Sequence, residues 1–169
     1  MASRLVFCYG SLMHPHVWAR VTGQQGLRVA HPAYIEGYAR HPVTDATAFY
    51  PAIRATGNAT DRVYGLAVVI SVDDFQTVAL LDRYETELYR RESVMVHILN
   101  AADTLSLARL PALVRPVAQK AATGDARLFP PLGDVYVWAA DRARMDETTD
   151  WDYDAFVRDK FGMFEADLS

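Results

Sequence analysis

Cysteine is nearly missing: Cys8 is the single one in 169 residues, so no internal disulfide framework can staple the fold. Basic residues number 17 against 21 acidic, for a formal net charge of −4, and they form no cluster that could follow a phosphate backbone. That balance argues against nucleic acid as a partner. No apolar run approaches the ~18 residues a membrane-spanning helix needs, so no spanning segment and no membrane partner are expected. The opening residues carry Arg4 but only a short hydrophobic stretch and no small-residue cleavage pattern, so they are not read as a signal peptide. A cytoplasmic protein is the expectation, consistent with a lone thiol. Internal repeats and low-complexity segments are also lacking.

What is present is hydrophobic material, 51% of the chain, enough for one core and one domain over 1–169. Its most telling stretch is Leu5-Val6-Phe7-Cys8, an apolar run that breaks at Tyr9-Gly10-Ser11-Leu12. Such a run ending in Gly-Ser reads as a buried strand delivering a tight loop, because glycine accepts backbone angles that a Cβ forbids. A loop of this kind turns consecutive N–H groups toward one point and makes a site for an anion.

The rest of the chain follows in a mixed order. Pro15 at a first helical position, with Val17, Trp18 and Val21 behind it, predicts a short helix. Residues 29–38 hold β-formers interrupted by Pro32 and Gly37, the pattern of an interrupted or edge strand. Residues 40–61 are irregular except for the island Phe49-Tyr50-Pro51-Ala52-Ile53, expected as a pocket wall or short strand. Residues 62–70 suit a central strand, with Gly65 marking a bulge or a close backbone approach. A helix is predicted from Ser71 to about Glu85, its core face including Phe75, Val78 and Leu81. Alternation over 89–99 predicts a strand with Val94, Val96 and Ile98 on one face and Tyr89, Met95 and Leu99 on the other.

Residues 100–132 carry four prolines (Pro111, Pro116, Pro130 and Pro131) and read as an excursion from the sheet, with one short helix around 117–122. A strand returns over 133–139, and Tyr153, Phe156, Val157 and Phe161 form the stripe of a C-terminal helix that Gly162 should end. The expected fold class is α+β, a small mixed, strongly curved β-sheet or barrel with flanking helices.

Three pieces now stand in register: Tyr9-Gly10-Ser11-Leu12 after the first strand, Tyr50-Pro51-Ala52-Ile53 before a Val63-Tyr64-Gly65-Leu66 strand, and Leu81-Asp82-Arg83-Tyr84-Glu85 followed by Tyr89-Arg90-Arg91. Together with the Val135-Tyr136-Val137-Trp138 strand, this set resembles the gamma-glutamylcyclotransferase-like family, in the branch with the plant avirulence-induced proteins and the gamma-glutamylamine cyclotransferases. The resemblance implies an enzyme that cyclises a small-molecule γ-glutamyl compound, releasing 5-oxoproline and an amine or amino acid. It implies no cofactor and no metal, since the substrate's own α-amino group is the nucleophile and is already tethered near the γ-carbonyl carbon. Protons still have to move from that amine and to the leaving nitrogen, a task for one carboxylate.

Carried over position by position, the resemblance makes Glu85 the catalytic acid/base. It makes Tyr9, Gly10, Ser11 and Leu12 the substrate-binding loop, whose amides would hold the glutamyl α-carboxylate. Tyr50, Tyr89 and Tyr136 are candidates for the pocket wall. Asp82, one helical turn before Glu85, is expected as a structural partner of an arginine or of the following loop rather than as a second catalytic acid. Cys8 reads as a buried, unreactive thiol, and His14-Pro15-His16 as a surface turn. Two other readings stay open from sequence: a ligand-binding or interaction module on the same fold that catalyses nothing, and acyl transfer on a different substrate. The leaving group and the oligomeric state are not legible.

Overall fold

The computed structural model describes residues 2–25, 29–45, 49–115 and 131–168. Its centre is β1 (Ser3–Cys8), which pairs antiparallel with β5 (Arg62–Ser71) on one side and parallel with β8 (Leu132–Trp138) on the other. Its two edges are thus paired and both of its faces are covered, which is why residues 5–8 are continuously apolar rather than alternating. The sheet continues outward through β2 (Ala30–Glu36) to β7 (His97–Ile98), and on the other side to β6 (Tyr89–Met95), in the order β6-β8-β1-β5-β2-β7. The strands β3 (Tyr38–Pro42) and β4 (Pro51–Ala55) form a separate antiparallel pair.

Strands β6 and β7 lie at opposite edges of this sheet, yet Val96 alone separates them along the chain. The two edges therefore have to meet, and the sheet curls into a barrel. Leu5, Phe7 and Val135 point into its interior with Ile35, Val63 and Val94, whereas Val6, Cys8, Leu66 and Val68 face an outer layer of helices. The expected α+β architecture with a strongly curved sheet or barrel is what the chain adopts.

The helices follow from local chemistry. The helix α1 (Pro15–Thr22) opens on Pro15 and closes on Gly23, whose positive φ of 72° suits a residue with no Cβ. The helix α2 (Phe75–Glu85) starts four residues later than expected, because Asp74 rather than Ser71 supplies the cap, accepting a hydrogen bond from the Thr77 N–H. Val78 and Leu81 are buried as predicted, but Phe75 is exposed. A short α3 (Thr104–Leu107) was not foreseen, and the helix expected around 117–122 falls outside the described residues.

Three further expectations change. The segment 29–38 is interrupted at Gly37, which divides β2 from β3, but it is not an edge: β2 lies between β5 and β7, and Pro32 is tolerated because it sits where the short β7 ladder ends, its carbonyl accepting from the Leu99 N–H. Residues 89–99 are two strands rather than one; Val94, Val96 and Ile98 share the barrel interior, while Leu99 is buried and Met95 exposed. The C-terminal stripe is split at Lys160 into α4 (Tyr153–Asp159) and α5 (Phe161–Asp167), with Gly162 inside the second helix. The break lets Phe164 join the Phe156 and Phe161 rings and become buried.

Gly65 marks a close approach, not a bulge: its ladder with β2 is regular, and a Cβ there would collide with the Cys8 carbonyl oxygen of β1. Gly65→Ala is therefore expected to destabilise the fold by about 3 kcal/mol, a fall in Tm of about 10 °C, measured by thermal denaturation.

Candidate active site

Strand β1 ends at Cys8, and the chain turns through Tyr9 and Gly10 into a short 3-10 turn, Ser11–Met13. This loop forms one wall of a cavity of about 200 Å³. The end of α2 forms another, with Tyr84, Glu85 and Thr86, and Leu88, Tyr89 and Tyr136 continue it. Tyr50 and Pro51 close a third side, and Phe164 reaches the cavity from α5. All five of the residues expected for catalysis and substrate binding, Glu85 and Tyr9 to Leu12, thus face one space. So do the three tyrosines expected in its wall.

The loop is held from several directions. The Tyr9 phenol donates to the Tyr136 carbonyl at 2.6 Å, and Ser11 Oγ shares a 2.8 Å hydrogen bond with the Tyr84 hydroxyl. Opposite them, the Tyr89 phenol donates to the Pro51 carbonyl at 2.8 Å, which fixes β4 against β6. Gly10 packs so closely on Pro51 that a Cβ would stand 2.8 Å from its Cγ. Here glycine serves close approach rather than an unusual φ.

Glu85 is the last residue of α2 and is half-buried. Burial pushes its carboxyl from the ordinary 4.5 up to about 8, because apolar surroundings disfavour the charged form. Burial also raises the phenols of Tyr9, Tyr84, Tyr89 and Tyr136, and the nearby Glu85 adds to each shift. They stay protonated as hydrogen-bond donors. Among the described residues lining the cavity Glu85 is the sole carboxyl group, and none is a histidine. The acid–base capacity of the cavity therefore rests in Glu85.

Immediately after it, Thr86 has φ 60° and ψ −171°, a conformation a β-branched residue rarely adopts. The chain thus leaves the helix abruptly and enters the turn Thr86–Leu88 that starts β6, so Glu85 stays on the helix end facing the cavity.

Other expected residues lie elsewhere. Asp82 accepts from Arg91 Nε at 3.0 Å and from the Tyr136 hydroxyl at 2.7 Å, outside the cavity, as an arginine partner. Cys8 lines the cavity, but burial and then Glu85 push its thiol far up, which keeps it protonated. His14 caps α1 and stacks on Phe161 with 4.1 Å between centroids, while His16 meets Glu165 at 2.9 Å. Sequence reasoning misses Phe164 because Gly162 reads as a helix end; its spacing of three from Phe161 is the available signal. Arg40, which donates to the Tyr9 carbonyl at 2.9 Å, carried no local signal at all.

A curled sheet with helices outside has a central strand that ends in a loop facing the half-buried carboxyl of Glu85. The chain belongs to the family described as Gamma-glutamyl cyclotransferase, AIG2-like, whose profile matches residues 6–153. The solution structure of At3g28950.1 from Arabidopsis thaliana is similar, with a TM-score of 0.57 and 22% identity over 99% of this chain and 81% of that one. So is At5g39720.1 from the same plant, with a TM-score of 0.54 and 18% identity over 99% of this chain and 89% of that one. The yeast gamma-glutamyl cyclotransferase specific to glutathione gives a TM-score of 0.52 and 16% identity over 88% of this chain and 74% of that one. These likenesses concern the fold. No curated protein matches the chain. Among the described residues, no helix is long and apolar enough to cross a membrane.

The raised Glu85 pKa has a consequence for stability. Below about 4.5 the carboxyl is protonated folded and unfolded alike; between there and about 8 the unfolded chain ionises while the folded one does not, so stability falls as pH rises. The partial exposure of Glu85 screens part of the cost of burial, leaving about 3 kcal/mol. Wild type should lose that much relative to Glu85→Gln between pH 4.5 and 8.5 in denaturant titrations. A pH-independent difference would show that the carboxyl is not shifted.

Proposed function

We propose that this chain is a gamma-glutamylcyclotransferase acting on a small γ-glutamyl compound. The observation that carries the reading is the meeting of Glu85, made basic by burial, and the Tyr9–Leu12 loop in one cavity. The loop's amides hold the glutamyl α-carboxylate, which folds the substrate so that its α-amino nitrogen approaches the γ-carbonyl carbon. With a further proton passing from the ring nitrogen to solvent, Glu85 takes one proton from the α-ammonium, freeing the lone pair that forms the new C–N bond of a five-membered ring. It then gives the proton to the leaving nitrogen as the old C–N bond breaks. The products are 5-oxoproline and a free amine or amino acid, and Glu85 ends as it began.

The pKa of about 8 suits both halves of this cycle. An α-ammonium group titrates at about 8 or above, so exchange with Glu85 is close to thermoneutral, where general acid–base catalysis works best. The tyrosines shape the cavity and keep their protons. Family membership supports the reaction class, and the cavity's modest volume of about 200 Å³ with its aromatic wall supports a small substrate.

Glu85→Gln is expected to keep the fold and ligand binding and to lower 5-oxoproline release by about 10²-fold or more, detected by mass spectrometry with γ-glutamyl amino acids and γ-glutamylamines. Undiminished turnover would refute the role of Glu85. Absence of product from wild type with every such compound would favour a binding module instead. In wild type the acid limb of kcat/KM should fall near pH 8; a flat profile from pH 5.5 to 7.5 would mean an ordinary carboxyl pKa.

A further inference from the structure

Arg40 stands on β3, outside the three sequence pieces that make the cavity, yet its guanidinium joins the loop to Asp150. Nη1 donates to the Tyr9 carbonyl at 2.9 Å, while Nε and Nη2 donate to the two Asp150 oxygens at 2.9 and 3.2 Å. Its side chain is only 12% exposed and lies over the buried Trp151 ring, 5.7 Å from the centroid. Asp150 and Trp151 thus leave the guanidinium one orientation. A planar fork suits this task, because one edge pairs with the carboxylate while another nitrogen reaches the carbonyl.

The Tyr9 carbonyl belongs to the same peptide unit as the Gly10 N–H. That unit is planar and trans, so its N–H points opposite to its C=O. Tyr9 and Gly10 line the candidate active cavity, whereas Arg40 and Asp150 line a separate cavity of about 430 Å³. The next two carbonyls are engaged as well: Gly10 O accepts from the Met13 N–H and Ser11 O from the His14 N–H, both at 3.0 Å. Every acceptor of the turn from Tyr9 to Ser11 is therefore taken by protein.

We propose that Arg40 is a positioning residue: by holding the Tyr9 carbonyl it fixes the Tyr9–Gly10 peptide plane and aims the Gly10 N–H at the substrate carboxylate. Asp150 and Trp151 keep Arg40 in place and so act on the same amide at one remove. The inference rests on the reading of Tyr9 to Leu12 as the substrate cradle. Loss of Arg40 frees the peptide to rotate, so binding weakens while the proton transfers at Glu85 are untouched. KM should rise with kcat little changed.

The test uses L-glutamine, which carries the α-carboxylate, α-ammonium and γ-amide, titrated into the non-cyclising Glu85→Gln protein and followed at the Gly10 amide by ¹⁵N–¹H correlation spectra. Adding Arg40→Met should weaken binding about tenfold and remove most of the Gly10 shift. Arg40→Lys, which can still reach the carbonyl, should restore part of both, and Asp150→Asn should cost about threefold. Should Arg40→Met not fold, the Lys and Asn variants carry the comparison. If L-glutamine leaves the Gly10 amide unmoved in the parent protein, the cradle reading fails and the role of Arg40 with it. If the amide moves and binding is the same in the Arg40 and Asp150 variants, Arg40 has no positioning role and the cradle reading stands.

Discussion

Burial of β1 on both faces is the constraint from which the rest of the molecule follows. With β5 antiparallel along one flank and β8 parallel beside Leu5 and Val6 on the other, the middle of the strand is inside the sheet, and its side chains alternate between barrel interior and helix layer. The strand has little freedom to shift, because Gly65 brings the β5 backbone against Cys8. Its end is therefore a fixed point. The loop that follows inherits that fixity and is tightened by Tyr9, Ser11 and Pro51 contacts.

Glu85 works against this background as a deliberate local cost. A carboxyl beside Tyr84, Tyr89 and Cys8 loses hydration, and the resulting basicity is what an ordinary glutamate at a helix end lacks. The strained backbone of Thr86 belongs to the same arrangement, since the abrupt exit from α2 starts β6 at once and brings Tyr89 back to the cavity. Stability is spent at one place to set a proton affinity, and the packed barrel supplies the reserve.

What the sequence revealed, and what it hid, divides by distance along the chain. The run Leu5 to Cys8, the break at Gly10, the Asp74–Glu85 helix and the short motifs around Tyr50 and Glu85 are local patterns. Local chemistry determines them, so the fold class and the tight loop after β1 could be read in advance, while Glu85 and the tyrosines are assigned to one site through the family resemblance that these short motifs carry. Arg40 and Asp150 are 110 residues apart, and neither sits in a pattern. Phe164 was hidden by a glycine that ordinarily ends helices but here lies inside one, because burying an aromatic ring outweighs the modest helix penalty of glycine. The break at Val96 was invisible for a different reason: alternation continues straight through it, and only closure of the sheet assigns its two sides to different edges.

That single-residue link gives the barrel an unusual mechanical character. Because β6 and β7 are consecutive, a strain applied at Val96 loads the β6–β8 ladder and the β2–β7 ladder together. Those ladders lead inward from opposite directions to β1 and β5. Val96 also donates to the Pro131 carbonyl, at the point where the chain re-enters the sheet. The ring thus behaves as a hoop with one clasp: a local loosening there is felt on both sides at once, and it reaches β1 directly as well, because Val96 and Leu5 pack together over Gly133 inside the barrel.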